Sequence, residues 1–449
     1  MKTSSKYTVT RNACQQCNPL GASLVFRGIE NSIPLLHGSQ GCSTYIRRFM
    51  ISHFKEPIDI ASSNFSEDTT IFGGSSNLKT SITNIRKQYN PSFIGIASTC
   101  LSETIGDDVD MIIKEYNEEH SIEENCPDII TVSTPSYSGT QIDGFYNAVT
   151  AIIKSLSEGN GTGSHITILP GMLSPEDIRH LKDILYFYNI ESTILPDYSE
   201  TLDGPLWTQY EKISPGGTPL QEIYETGNSS HCIEFSNQTY ITAGDILQEQ
   251  HNVNLNRMPI PIGIKLTDNF FNTLCKISGK EIPLRYQQER GRLIDAYADA
   301  HKHAYGIKAI LVGEEDLIIS LISFLLECGI QPVLCATAST SGLIKSYIES
   351  INDILPQEPV ILQGTDFGTI EDTAKGLHAN IILSSSKGFK LSKNLNIPLV
   401  RIGFPIHDRI GGNRLLHIGY SGTMQLFDRI INSHVEHKQN ISDVGYTYM

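Results

Sequence analysis

Short apolar runs headed by β-branched residues recur along the chain, each followed by a Gly- or Ser-bearing turn and then a stretch with helical spacing. Residues 93–97 run into Ser98, Thr99 and Cys100, and a helical pattern follows from Glu103 to Tyr116. Residues 129–132 lead through Thr134, Pro135 and Ser136 to a helix predicted over about 143–156. Residues 165–169 lead to Pro170 and Gly171, and then Ser174 reads as an N-cap with Pro175 at the first helical position. The rhythm returns at 309–312, 332–335, 379–383 and 398–402. Such alternation predicts parallel sheets flanked by helices, an α/β fold.

The repeats fall into groups. Residues 1–163 form a first α/β domain that ends in the Gly-rich stretch 159–163, and 164–267 form a second. A long helical pattern over 268–305 connects them to a third α/β domain, 306–449, closed by a helix predicted over 424–436. The expectation is three Rossmann-like domains. Chemistry in such sheets collects at the C-terminal ends of strands, where Cys100, Ser136, Gly171, Gly313 and Cys335 stand. No G-x-G-x-x-G follows a strand and no G-x-x-x-x-G-K-S/T occurs, so a nucleotide reading lacks its usual phosphate loop.

Composition narrows the field. A chain of 449 residues with 39% hydrophobic and 18% charged residues is neither disordered nor membrane-spanning. Its start, residues 1–11, is polar and predicts no export signal, so a cytoplasmic location is expected. With 49 acidic against 34 basic residues, the net charge of -15 argues against nucleic acid as a partner. Nine cysteines, an odd number, do not suit a disulfide framework, which leaves thiols, thiolate ligands and buried apolar cysteines.

The densest constellation comprises Cys14 and Cys17, then Cys42 in His37-Gly38-Ser39-Gln40-Gly41-Cys42, then Cys100. Loops at the ends of separate elements can converge on one metal centre, and thiolates select zinc, copper(I) or iron-sulfur clusters. The pair Cys14 and Cys17 has no second C-x-x-C and no His pair, as a zinc ribbon would need. Nor does it open a helix after a strand, as a thioredoxin-like redox pair would. Cys126, Cys232, Cys275, Cys328 and Cys335 read as packing residues. Around Cys17, Cys42 and Cys100, flanking Gly and Pro would let backbone approach a bulky ligand.

Here the residues resemble a known family. Cys17-Asn-Pro-Leu-Gly-Ala22, Ile33-Pro-Leu-Leu-His-Gly-Ser-Gln-Gly-Cys42, His53-Phe-Lys-Glu-Pro57, Phe72-Gly-Gly74 and the run from Ser98 to Asp108 look like the second-subunit branch of the nitrogenase component 1 family. The likeness continues through Gly216-Gly-Thr218, Ile402-Gly-Phe-Pro405 and Gly419-Tyr-Ser-Gly422, covering nearly the whole chain. The resemblance implies that Cys17, Cys42 and Cys100 hold an iron-sulfur cluster, 4Fe-4S or a bridging 8Fe-7S, shared with a partner subunit, with Ser136 beside it. For Ser136, a helix-capping role is the plain alternative. It also implies a paralogous α-type partner in a heterotetramer, an ATP-dependent nitrogenase iron protein that docks over the interface, and a donor of the cofactor precursor. The partner, not this chain, would hold the iron-molybdenum cofactor precursor. His37, His301, His303, His407 and His417 are therefore expected to be structural or surface residues.

Within the family, the segment Phe404-Pro-Ile-His-Asp-Arg-Ile-Gly-Gly-Asn-Arg414, together with Tyr198-Ser-Glu-Thr-Leu-Asp-Gly204 and Pro170-Gly-Met-Leu-Ser-Pro175, resembles the scaffold branch on which the cofactor matures. The presence of all three cysteines resembles the catalytic β-type branch instead. Outside the family, a metal-free α/β binding module stands as an alternative, and within the same superfamily a tetrapyrrole reductase subunit.

Overall fold

The computed structural model describes residues 11–120 and 126–444. Among the described residues, thirteen strands form three sheets, each parallel throughout. The first contains β1 (Ser32–His37), β2 (Ala61–Ser62), β3 (Phe93–Ser98) and β4 (Asp128–Val132), in the order β2-β1-β3-β4. The second contains β5 (Ile166–Leu169), β6 (Ser192–Ile194), β7 (His231–Phe235) and β8 (Asn254–Met258), ordered β6-β5-β7-β8. The third contains β9 (Lys308–Val312), β10 (Gln331–Ala336), β11 (Val360–Leu362), β12 (Ile381–Ser384) and β13 (Leu399–Arg401), ordered β11-β10-β9-β12-β13. This is the expected α/β class.

The first sheet shows why its strands read as continuous apolar runs. Side chains alternate across a strand, and helices cover both faces, so both sets must be apolar. Ile33 and Leu35 of β1 and Ile94 and Ile96 of β3 point to one face, against α4 (Ser75–Tyr89) and α6 (Val109–Glu119). Leu36, Phe93 and Ala97 point to the other, where α1 (Asn18–Arg27) and α7 (Gln141–Leu156) pack. That second face belongs to a core that continues under the other two sheets.

Several helices differ from the sequence expectation. The pattern from Glu103 to Tyr116 is two helices, α5 (Cys100–Ile105) and α6, because Gly106 turns left-handed (φ 78°) and Asp108 then caps a new helix by accepting from the Met111 amide. The 268–305 pattern likewise divides into Ile264–Ser278 and Leu284–Ala304 at Gly279 and Pro283. The last helix is longer than expected, Gly419–Asn440. Polar β8 and the two- and three-residue strands β2, β6 and β11 carry too little pattern to be read from sequence. Among the described residues, no helix is long and apolar enough to cross a membrane.

Candidate metal centre

Three cysteines stand at the C-terminal edge of the first sheet, each at a helix start rather than in a loop. Cys17 caps α1 with Pro19 in its first turn; Cys42 lies in the first turn of α2 (Gln40–Phe54), behind the Ser39 cap; Cys100 opens α5. Thr99 caps α5 reciprocally with Ser102, its amide donating to Ser102 Oγ at 2.9 Å.

Close backbone packing sets their relative positions. A Cβ on Gly21 would lie 1.8 Å from the Gln141 carbonyl oxygen, and one on Gly144 would lie 2.0 Å from the Asn18 carbonyl oxygen, so only glycine lets α1 and α7 meet this closely. A Cβ on Gly38 would likewise meet Thr99 Oγ1, whose hydroxyl donates to the His37 carbonyl at 3.0 Å and ties the end of β1 to the start of α5.

The thiols converge through polar contacts. The Ser136 amide donates to Cys100 Sγ at 3.2 Å, and the Asn18 amide, next to Cys17, donates to Ser136 Oγ at 3.2 Å. The loop is held from behind by Gln15, whose Nε2 donates to the carbonyls of Ser136 (3.0 Å) and Gly139 (2.9 Å). Cys42 is close enough to the other two that, after burial, their negative charges are the next causes raising its thiol pKa. Cys17 and Cys100 are exposed and Cys42 is half-buried.

Two further networks brace this edge. His37, fully buried, holds Asp107 at 3.0 Å through Nε2 and Ser63 Oγ at 3.1 Å through Nδ1, while Asp107 also accepts from the Gly74 amide at 3.0 Å. Burial lowers the His37 pKa against the pull of Asp107, so the ring is neutral. Gln141 accepts from the Gln16 amide at 3.1 Å and donates to Glu314 at 2.6 Å, linking the Cys17 turn to the third sheet. The sequence reading assigned Asn18, Gln15, Gln141 and Asp107 no role. Their contacts join positions up to 173 residues apart, which no local pattern reveals.

The other cysteines separate cleanly. Cys14 packs against the core of the third sheet and burial pushes its thiol to about 12. Cys232, Cys328 and Cys335 are buried, as expected of packing residues, and Cys275 is half-buried. Cys126 departs from that expectation: it is exposed just before β4, with the Arg86 guanidinium 3.5 Å from its sulfur. His417 is structural, its backbone amide and ring bound to Asp177 at 2.6 and 3.2 Å.

The donor set suits a group larger than one ion. Among the described residues, no three His, Cys, Asp or Glu are arranged around a single metal position. Three thiols spread over separate helix starts and open to the surface would suit a multi-iron cluster better than a single ion.

A three-sheet α/β protein with thiols gathered at one sheet edge is the class these observations define. The family model for nitrogenase component 1 type oxidoreductases matches residues 17–434, and the chain belongs to that family. It is 35% identical to the nitrogenase molybdenum-iron protein beta chain of Clostridium pasteurianum over 94% of this chain and 92% of that one. It is 32% identical to the nitrogenase iron-molybdenum cofactor biosynthesis protein NifN of Bradyrhizobium diazoefficiens, over 95% and 90% of the two chains. A solved chain of nitrogenase Cp1 at pH 6.5 superposes with a TM-score of 0.95, at 32% identity, covering 100% of this chain and 98% of that chain. It is thus a β-type subunit of the family.

Proposed function

We propose that Cys17, Cys42 and Cys100 hold an iron-sulfur cluster at the interface with a paralogous α-type subunit, and that this chain serves in the scaffold complex on which the iron-molybdenum cofactor matures. The observation that carries the cluster is the convergence of three thiols on an open surface, where one chain supplies only part of a coordination shell. A cluster bound there supplies one-electron transfer. The chain's own residues do the rest. Ser136 donates its amide to the Cys100 sulfur, which orients that side chain, and its hydroxyl accepts from the Asn18 amide beside Cys17. Tyr45, Phe72 and Tyr137 are exposed on or beside the same helix starts and loop, an apolar rim that a partner would cover and so exclude water.

On this reading the complex is a heterotetramer in the cytoplasm. A precursor donor loads the partner subunit with the cofactor precursor, and the nitrogenase iron protein docks over the interface. Support for the scaffold role comes from the 404–414 segment and from the similarity to NifN. A catalytic β-type role carrying half of a bridging eight-iron cluster draws on two observations: all three thiols with Ser136 are present, and the Clostridium pasteurianum beta chain is 35% identical.

Deleting the chain from its host separates the two roles. Under the scaffold reading, extract of the deletion strain regains nitrogenase activity when isolated iron-molybdenum cofactor is added. Under the catalytic reading, added cofactor restores nothing.

A further inference from the structure

The 404–414 segment also builds a feature unrelated to the cysteines. With the helices Phe389–Leu395 and Gly419–Asn440 and strand β13, it encloses a cleft of about 570 Å³, within the range of small-ligand sites. In a chain of net charge -15, three guanidiniums line it: Arg401, Arg409 and Arg429.

The three are not equally satisfied. Arg401 is nearly buried and is taken up by Asp408, with Nε at 2.8 Å and Nη2 at 2.7 Å from its carboxylate oxygens. Arg409 is exposed, donates to the Asp408 carbonyl at 2.7 Å and stands 3.6 Å from that carboxylate. Arg429 has no carboxylate within ion-pair distance among the described residues; its Nε reaches only the Gln425 carbonyl, 3.3 Å away on its own helix. Its Nη2 is buried and has no acceptor. A buried donor without a partner costs about as much as a lost hydrogen bond, so Arg429 is one acceptor short. Glu436 sits exposed on the rim and leaves the guanidiniums in excess. Phe389 and Ile410 add exposed apolar surface, more than a bare ion would use.

We propose that this cleft binds a small organic oxyanion, its carboxylate or phosphate oxygens taken by Arg429 and Arg409 and its body lying against Phe389 and Ile410. A guanidinium presents paired N–H groups that match two oxygens of such a group; Arg409 is exposed, and Arg429 would have to turn its unpartnered Nη2 outward to meet the ligand. The site is independent of the cluster and of the choice between scaffold and catalytic roles.

Calorimetric titration of the purified complex with citrate and with phenyl phosphate tests it, the two probes separating the carboxylate and phosphate sources. Saturable binding of at least one probe is expected, weakened about tenfold or more in Arg429→Gln and unchanged in Arg292→Gln, a substitution on the exposed side of another helix. If Arg429→Gln is not recovered folded, the exposed Arg409→Gln carries the test with the same expected weakening. No saturable binding of either probe, or full affinity in the arginine variant tested, overturns the proposal.

Discussion

Cys100 and Cys335 make an instructive pair. Both stand at the C-terminal end of a central strand in a parallel sheet, yet one is exposed and the other fully buried. Cys335 is the fifth residue of β10 and faces the core, where burial pushes its thiol to about 12. Cys100 lies two residues beyond the end of β3, past the Thr99 cap, and receives an amide hydrogen bond from Ser136. Three positions along the chain, counted from the strand end, separate a small apolar side chain from a potential ligand. Metal chemistry needs the thiolate, and the cysteines at helix starts on the first sheet escape the deep burial that keeps Cys232, Cys328 and Cys335 protonated.

The comparison breaks first at its frame. Gly21→Leu should cost about 3 kcal/mol or more, or abolish soluble expression, because the new side chain overlaps the backbone of α7. A urea midpoint equal to wild type would mean that α7 does not hold the Cys17 turn in place. Asp107→Ala comes next. It strips the acceptor from buried His37 and from the Gly74 amide, and about 2 kcal/mol should be lost in the same assay.

A pH series extends the contrast from thiols to a carboxyl group. Glu314, half-buried and bound to Gln141, has its pKa raised to about 7, chiefly by burial. Above its unfolded pKa the unfolded chain releases this proton while the folded chain keeps it, so stability should fall as pH rises from about 4.5 to about 7. Glu314→Gln should flatten that part of the profile, and an unaltered slope would show that the group titrates normally. The smallest effect belongs to Cys335→Ala: about 1 kcal/mol of stability for a small cavity, with iron content unchanged.

The α/β class was readable because β3, β9 and β12 are continuous apolar runs followed by turns and helical spacing. The candidate ligands were readable because Cys17, Cys42 and Cys100 sit among Gly and Pro in motifs shared with a family. What escaped was the bracing. Nothing local marks Gln15 as the clamp on the 136–139 loop, or Gln141 as the link to Glu314, since those contacts exist only after distant segments fold together. Helix breaks at Gly106 and Gly279 were missed for another reason: apolar spacing persists through them while a left-handed residue ends each helix. The exposure of Cys126 was equally hidden, because residue type alone says nothing of which side of a strand start faces solvent.

The central claim is that three cysteines on one edge hold iron and the buried ones do not. Anaerobic co-purification with the α-type partner, followed by iron analysis and EPR of wild type and Cys42→Ala, tests it most directly. The account predicts that Cys42→Ala loses the interface iron, about four atoms per heterodimer for a four-iron cluster or about eight for a bridging one, together with its EPR signal, while the fold is retained. Iron content and signal unchanged in Cys42→Ala would contradict it.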